Sequence, residues 1–111
     1  MTRDAFRKLA LSLPDAEERS HMHHPDFRVN DRIFATLDYP EIGWAMVALA
    51  PEDQKAFVAI DAAVFVPVKG KWGAGGATSV FLKKATAPVI REALRAAYEQ
   101  KRAKARSKSP R

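Results

Sequence analysis

The glycine-rich stretch PVKGKWGAGGATSVFLKK, residues 67–84, holds residue types suited to binding a polyanion. Lysine ammonium groups neutralise phosphates, and an exposed tryptophan stacks on a nucleobase with about 1–3 kcal/mol per base. A phosphate-binding P-loop is excluded, because its glycines must directly precede a helix, whereas ATSVFLKK alternates like a strand. Three interpretations remain open: a wide turn whose Trp72 folds back over the sheet edge, a nucleic-acid contact surface, or a small-molecule site.

The nucleic-acid interpretation gives each candidate residue a role: lysines neutralise phosphates, the indole stacks on a base, and two arginines add charge. The candidate nucleic-acid-binding residues are Lys69, Lys71, Trp72, Lys83, Lys84, Arg28 and Arg32. The net charge is +6, and residues 56–111 hold twelve Lys/Arg against three Asp/Glu, while residues 1–55 hold seven against ten. This asymmetry favours an anionic partner, and we expect that partner to be DNA.

Residues for other chemistry are present but poorly arranged. His21, His23 and His24 lie near Asp26, yet adjacent ligands rarely converge on one ion, and two or three imidazoles leave a zinc site incomplete. The absence of cysteine excludes thiol nucleophiles and disulfides. The acids lie in polar loops, and the serines lack a nucleophile elbow. We therefore expect no catalytic residues, no metal, no cofactor, no small-molecule substrate and no enzyme activity.

The elements that would position these residues follow from periodicity. Helical spacing predicts a first helix that begins after Thr2 and ends before Pro14, and the polar DAEERSHMHHPD is then interpreted as a connecting loop. FRVNDRIFATLDY predicts a β-hairpin that turns at Asn30-Asp31, since both residue types tolerate positive φ. The remaining segments predict three strands, one helix and a final helix. The strands are WAMVALA, AVFVPV and TSVFLKK, the helix is PEDQKAFVAI, and Thr86 caps the final helix.

The order α-β-β-β-α-β-β-α predicts an α+β fold, with a two-layer arrangement of a five-stranded antiparallel sheet and helices on one face. The length of 111 residues suits one domain, which we place at residues 1–100, and a basic flexible tail at residues 101–111, KRAKARSKSPR. Since no apolar run approaches the about 20 residues that span a bilayer, we expect a soluble cytoplasmic protein without a membrane partner.

Three segments, LSLPDAEE, HPDFRVNDRIFATL and PVKGKWG, resemble in their order and spacing the MmcQ/YjbR family of small bacterial proteins. The resemblance covers roughly residues 1–100, with residues 27–29 matching the family's FRV and Trp72-Gly73 matching its loop. It implies an α-β(3)-α-β(2)-α two-layer fold similar to that of type III secretion chaperones. Family members are described as DNA-binding by structural analogy, and the family has no established catalytic residues to carry over.

Two functional hypotheses follow. The first is a non-enzymatic DNA-binding protein of low sequence selectivity, which binds through the basic Gly/Trp loop and the lysines of the second half. The alternative is a chaperone-like protein-interaction module, in which an exposed apolar surface holds a peptide or a second copy of the domain. Trp44, Met46 and Phe65 are the candidates for such a surface, although the core is the more usual place for apolar residues of this kind.

Overall fold

The computed structural model describes residues 1–107 of the chain, and within them it contains four α-helices and one six-stranded antiparallel sheet. The helices are α1 (Arg3–Leu11), α2 (Pro51–Ile60), α3 (Gly70–Ala74) and α4 (Ala87–Ser107). The strands are β1 (Glu17–His21), β2 (His24–Val29), β3 (Arg32–Leu37), β4 (Trp44–Ala48), β5 (Phe65–Pro67) and β6 (Ala77–Phe81). The strand order is β1-β2-β3-β4-β6-β5. The α+β class is therefore confirmed.

The count of five strands was wrong, because β1 lies in the segment interpreted as a loop. Its five residues EERSH are all polar and four of them are exposed, so the strand carries no apolar alternation that could predict it. Met22 and His23 close the β1–β2 hairpin with φ values of 48° and 69°. Such a turn usually contains Gly, Asn or Asp, and here none of these residues marks it.

The second hairpin forms where it was expected. Asn30 and Asp31 take φ values of 51° and 64° between β2 and β3. The β2–β3 register then shifts: Phe27 pairs with Ala35 and Arg28 pairs with Ile33, so that Phe34 has no partner and forms a β-bulge. Phe34 and Ala35 are both buried. The bulge thus interrupts the alternation along β3.

The sheet has two unlike faces. On the first, which we call the covered face, apolar residues of the strands form one core with residues of α1 and α4, and α4 packs against β3 and α1. The strand residues of this core include Phe27, Ala35, Leu37, Ala45, Val47 and Val80. On the second, which we call the open face, the register places Asp26 beside Thr36, Thr36 beside Met46, and Met46 beside Ser79. Met46 is buried but lies outside the core cluster.

The glycine-rich stretch is more ordered than a wide turn. It contains α3, and the strand expected to run to Lys84 ends at Phe81, followed by a 3₁₀ turn at Leu82–Lys84. Two of its glycines lie so close to neighbouring backbone that a side chain would clash. A Cβ on Gly73 would lie 1.4 Å from the Val68 carbonyl oxygen, and a Cβ on Gly76 would lie 1.8 Å from the Leu49 carbonyl oxygen. The α3 segment is therefore held against the sheet by backbone contacts.

The ends of the described chain bear on two further expectations. The last helix, α4, continues to Ser107, well into the residues expected to form a tail, and residues 108–111 of that tail lie outside the described residues. Within residues 1–107, no helix has both the length and the apolarity needed to cross a membrane.

Candidate nucleic-acid interface

An ionic cluster anchors the open face. Asp26 is 0% exposed, and Arg28 donates to it twice, from Nε to Oδ1 at 2.8 Å and from Nη2 to Oδ2 at 3.1 Å. His21 Nδ1 lies 2.7 Å from Asp26 Oδ2. Burial raises the pKa of Asp26, but the hydrogen bonds with Arg28 and His21 outweigh it and hold that pKa below its ordinary value. The buried carboxylate therefore fixes the guanidinium plane of Arg28.

A series of rings continues from this cluster to α3. The ring centroids of His21 and His24 are 6.1 Å apart, and those of His24 and Tyr39 are 6.0 Å apart. Tyr39 then contacts Trp72 edge-to-face at 5.2 Å. The histidines thus contact other rings and Asp26, and within residues 1–107 no group of three or more His, Asp or Glu side chains is arranged to hold a metal ion.

Trp72 stands between two shallow clefts and is 49% exposed. The first cleft, which we call the Thr36 cleft, has a volume of about 390 Å³. It is lined by His21, Arg28, Asp31, Arg32, Ile33, Thr36, Met46, Ala48, Trp72 and Lys101. The second, the Tyr39 cleft, has a volume of about 400 Å³ and is lined by Tyr39, Pro40, Trp44, Val66, Pro67, Val68, Lys69 and Ser79. The Tyr39–Trp72 ring contact joins the two clefts.

Gln54 and the backbone of α3 hold Trp72 in this position. The Gln54 side chain on α2 is buried, and its Nε2 donates to the Gly73 carbonyl at 2.9 Å and to the Ala77 carbonyl at 3.0 Å. The C-terminal part of α3 and the first residue of β6 are thereby tied to α2. The indole consequently projects from a braced backbone, and its exposed part faces solvent beside the clefts.

The model of a protein family described as YjbR matches residues 11–100. The chain belongs to the YjbR family. The match begins at the last residue of α1 and ends within α4, so it includes all six strands of the described sheet. The resemblance inferred from the sequence is thereby confirmed. A search of curated proteins gives no match.

In this YjbR-family domain the expected binding residues divide into two groups. Arg28, Arg32 and Trp72 meet around the Thr36 cleft, and Lys69 lines the neighbouring Tyr39 cleft. Lys71, which is exposed, precedes Trp72 on α3. The other two lysines lie at a different place, in the 3₁₀ turn that follows β6.

That turn forms part of a separate groove. Lys83 lines it together with Met1, Arg3 and Ile42. Lys84 is exposed in the same turn. Among the described residues, none of the four lysines of residues 67–84 makes an ion pair. These four lysines are therefore uncompensated in charge, but only Lys69 is among the residues that line the two Trp72 clefts.

Sequence reasoning missed Asp26, Thr36 and Tyr39 as parts of this candidate site. Asp26 had been interpreted as an ordinary loop acid, because β1, the strand that covers one side of it, was not expected. The side of the sheet on which Thr36 lies could not be read from alternation, since the bulge at Phe34 shifts the pattern. A strand assignment to EERSH, paired with β2, would have placed His21 on the same face of the sheet as Asp26.

The residues proposed for an apolar interaction surface do not form one. Met46 and Phe65 are buried, and Phe65 belongs to the core cluster. Trp44 is half-buried, and its ring lies 5.0 Å from that of Phe81. Of the three, only Trp44 keeps any substantial accessible surface.

Proposed function

We propose that this YjbR-family protein is a non-enzymatic DNA-binding protein of low sequence selectivity, and that DNA binds on the open face of the sheet. The observation that supports this proposal is the position of Trp72, half-exposed on a braced helix between two clefts that are bordered by cations. A flat ring available to solvent beside basic groups can stack on a base while neighbouring ammonium and guanidinium groups neutralise phosphates.

The charges near Trp72 are of two kinds. The charge of Arg28 is offset by Asp26, so Arg28 contributes fixed hydrogen-bond donors rather than net charge. Arg32, Lys69 and Lys71 make no ion pair within residues 1–107, and their full charge is available to phosphates. Asp31, the acid in the Thr36 cleft, is itself paired with Arg19 at 3.1 Å. Arg32, Lys69 and Lys71 are therefore the groups we expect to attract phosphates.

Low selectivity follows from the chemistry of these groups. Lysine and arginine contacts to phosphate position the nucleic acid without reading its sequence. Stacking on an indole is tolerant of base identity, because every base has a π-face. We accordingly expect affinity to depend much more on salt concentration than on sequence.

Fluorescence anisotropy with labelled oligonucleotides tests the proposal. We expect binding at about 50 mM salt that weakens steeply as salt is raised. Trp72→Ala should weaken binding about tenfold, the loss expected for one stacked base. Lys8→Ala, on α1 and remote from the clefts, is the control and should leave affinity nearly unchanged.

Intrinsic fluorescence gives a direct second measurement. The chain has two tryptophans, so Trp44→Phe leaves Trp72 as the single indole. Stacking on a base should quench that signal as DNA is added. Absence of binding at low salt, or unchanged affinity in Trp72→Ala, would refute the proposal.

A further inference from the structure

Thr36 carries a polar group that the protein leaves without a partner. The residue is 2% exposed, and its Oγ1 is buried with no hydrogen-bond partner among the described residues. Thr78 shows the usual arrangement: it is also buried, but its Oγ1 donates to the Gly76 carbonyl at 2.8 Å. An unpaired buried hydroxyl costs free energy that a valine of the same shape would avoid. The presence of threonine at the floor of a cleft therefore points to a ligand.

The surroundings of Thr36 define what kind of ligand would fit. Met46 lies next to it in the register and gives the floor an apolar surface, while Trp72 forms an aromatic wall. Arg32 stands among the lining residues and makes no ion pair among the side chains that the structure describes. A cleft with an aromatic wall, a hydroxyl at its floor and basic side chains among its lining residues is complementary to a heterocyclic base that carries a phosphate.

The size of the cleft and the state of the base limit the choice further. A volume of about 390 Å³ lies near the lower end of the range for small-ligand sites, which suits one nucleotide. In a duplex, both faces of each base are stacked and its pairing edge is occupied. Only an unpaired base offers a free face to Trp72 and a free edge to Thr36.

We propose that the Thr36 cleft receives one unpaired nucleotide, so that the protein binds single-stranded DNA more tightly than duplex. This inference rests on the DNA binding proposed above and specifies the form of the ligand. The base stacks on Trp72, and Arg32 holds its phosphate. Rotation about χ1 of Thr36 brings the hydroxyl to the base edge, where it can donate or accept and so accommodates different bases.

The central experiment is Thr36→Val, which removes the hydroxyl and keeps the shape. Because the hydroxyl is unpaired in the protein, the melting temperature of the variant should be equal to or above that of the wild type. Its affinity for a labelled oligo-dT should nevertheless fall about fivefold, while affinity for a duplex of similar length stays the same. Wild-type protein should prefer the single strand at the same salt concentration.

Thr78→Val is the matched control. It removes a hydroxyl that is hydrogen-bonded on the covered face, so it should lower the melting temperature without changing the preference for single strands. Equal affinity for single strand and duplex, together with no effect of Thr36→Val, would overturn the nucleotide cleft and leave general DNA binding in place. Absence of binding to either form would instead defeat the proposed function itself.

Titration with dTMP alone separates a strand from a free nucleotide. A nucleotide that belongs to a strand gains further phosphate contacts at Lys69 and Lys71, so dTMP should compete with the oligonucleotide only at much higher concentration. Saturation by dTMP as tightly as by oligo-dT would overturn the assignment to single-stranded DNA.

Discussion

The two faces of the sheet bury their side chains by different means, and neighbouring residues of β2 show the contrast. Phe27 on the covered face and Asp26 on the open face are both 0% exposed. Phe27 packs against Phe6 of α1, with ring centroids 6.2 Å apart. Asp26 is instead satisfied by Arg28 and His21. Apolar contact thus stabilises the first face, and charge pairing orders the second.

Under the proposed function, the difference between the faces also separates stability from binding. On the covered face, polar groups such as the Thr78 hydroxyl have partners within the protein. The open face leaves Thr36 Oγ1 and His24 Nδ1 buried and unpaired among the described residues, and it leaves the charge of Arg32 uncompensated. Helices close the first surface, whereas the second has hydrogen-bonding and ionic groups available to the ligand proposed above. Substitutions that affect one face and not the other test this division.

The largest effect is expected from Phe27→Ala on the covered face. Removing a fully buried aromatic side chain leaves a cavity, and we expect the free energy of unfolding to fall by about 4 kcal/mol. Because no charged group is changed, the loss should be nearly the same across pH. Urea unfolding at two pH values measures both quantities, and a loss below about 1 kcal/mol would contradict the description of this face as the core.

The next largest effect is expected from Asp26→Asn on the open face. The free energy of unfolding should fall by about 2–3 kcal/mol near neutral pH, because the guanidinium of Arg28 loses its charged acceptor. The pKa of Asp26 is held below its ordinary value in the folded protein, so the carboxylate stabilises the fold fully above the ordinary carboxylate pKa. This stabilisation is lost as pH falls through the lowered pKa of the folded state. Wild type and variant should therefore converge in stability as pH falls below the ordinary carboxylate pKa and through the lowered pKa of the folded state.

The measurement for this prediction is chemical unfolding of both proteins at about pH 7, pH 5 and pH 3. Phe27→Ala serves as the pH-independent reference on the same strand. A difference between wild type and Asp26→Asn that stayed constant down to the lowest pH would show that the carboxylate charge does not order the open face.

Much of the covered face could be predicted from the sequence, because its elements carry their own periodicity. Thr2 caps α1 by accepting from the Ala5 N–H at 3.0 Å, and Pro51 begins α2, both as expected. AVFVPV was expected to form a strand, and β5 ends at Pro67 and lies at the edge of the sheet, where a proline removes no ladder hydrogen bond. Helical stripes and proline positions are local signals, and they identified these elements.

The open face could not be predicted, since the structural features that form it leave no local signal in the sequence. The edge strand β1 is polar throughout, α3 depends on glycines that touch the backbone of Val68 and Leu49, and the bulge at Phe34 decides which side Thr36 faces. Propensity and alternation contain none of this information. The basic residues were identified by type, but the separation of Lys83 from Trp72 appears only once the strands are paired.

The smallest expected effect compares two pairs of lysines that the sequence treats alike. Lys69→Ala with Lys71→Ala removes two charges beside Trp72, and Lys83→Ala with Lys84→Ala removes two from the groove beyond β6. Each double variant lowers the net charge from +6 by the same amount, so long-range attraction is matched.

If phosphates lie on the open face, only the first pair makes direct contacts. The slope of log affinity against log salt should then decrease by about 1.4 for the first pair, at about 0.7 per single-strand contact, and hardly at all for the second. Equal changes for the two pairs would mean that DNA follows total charge and not the open face.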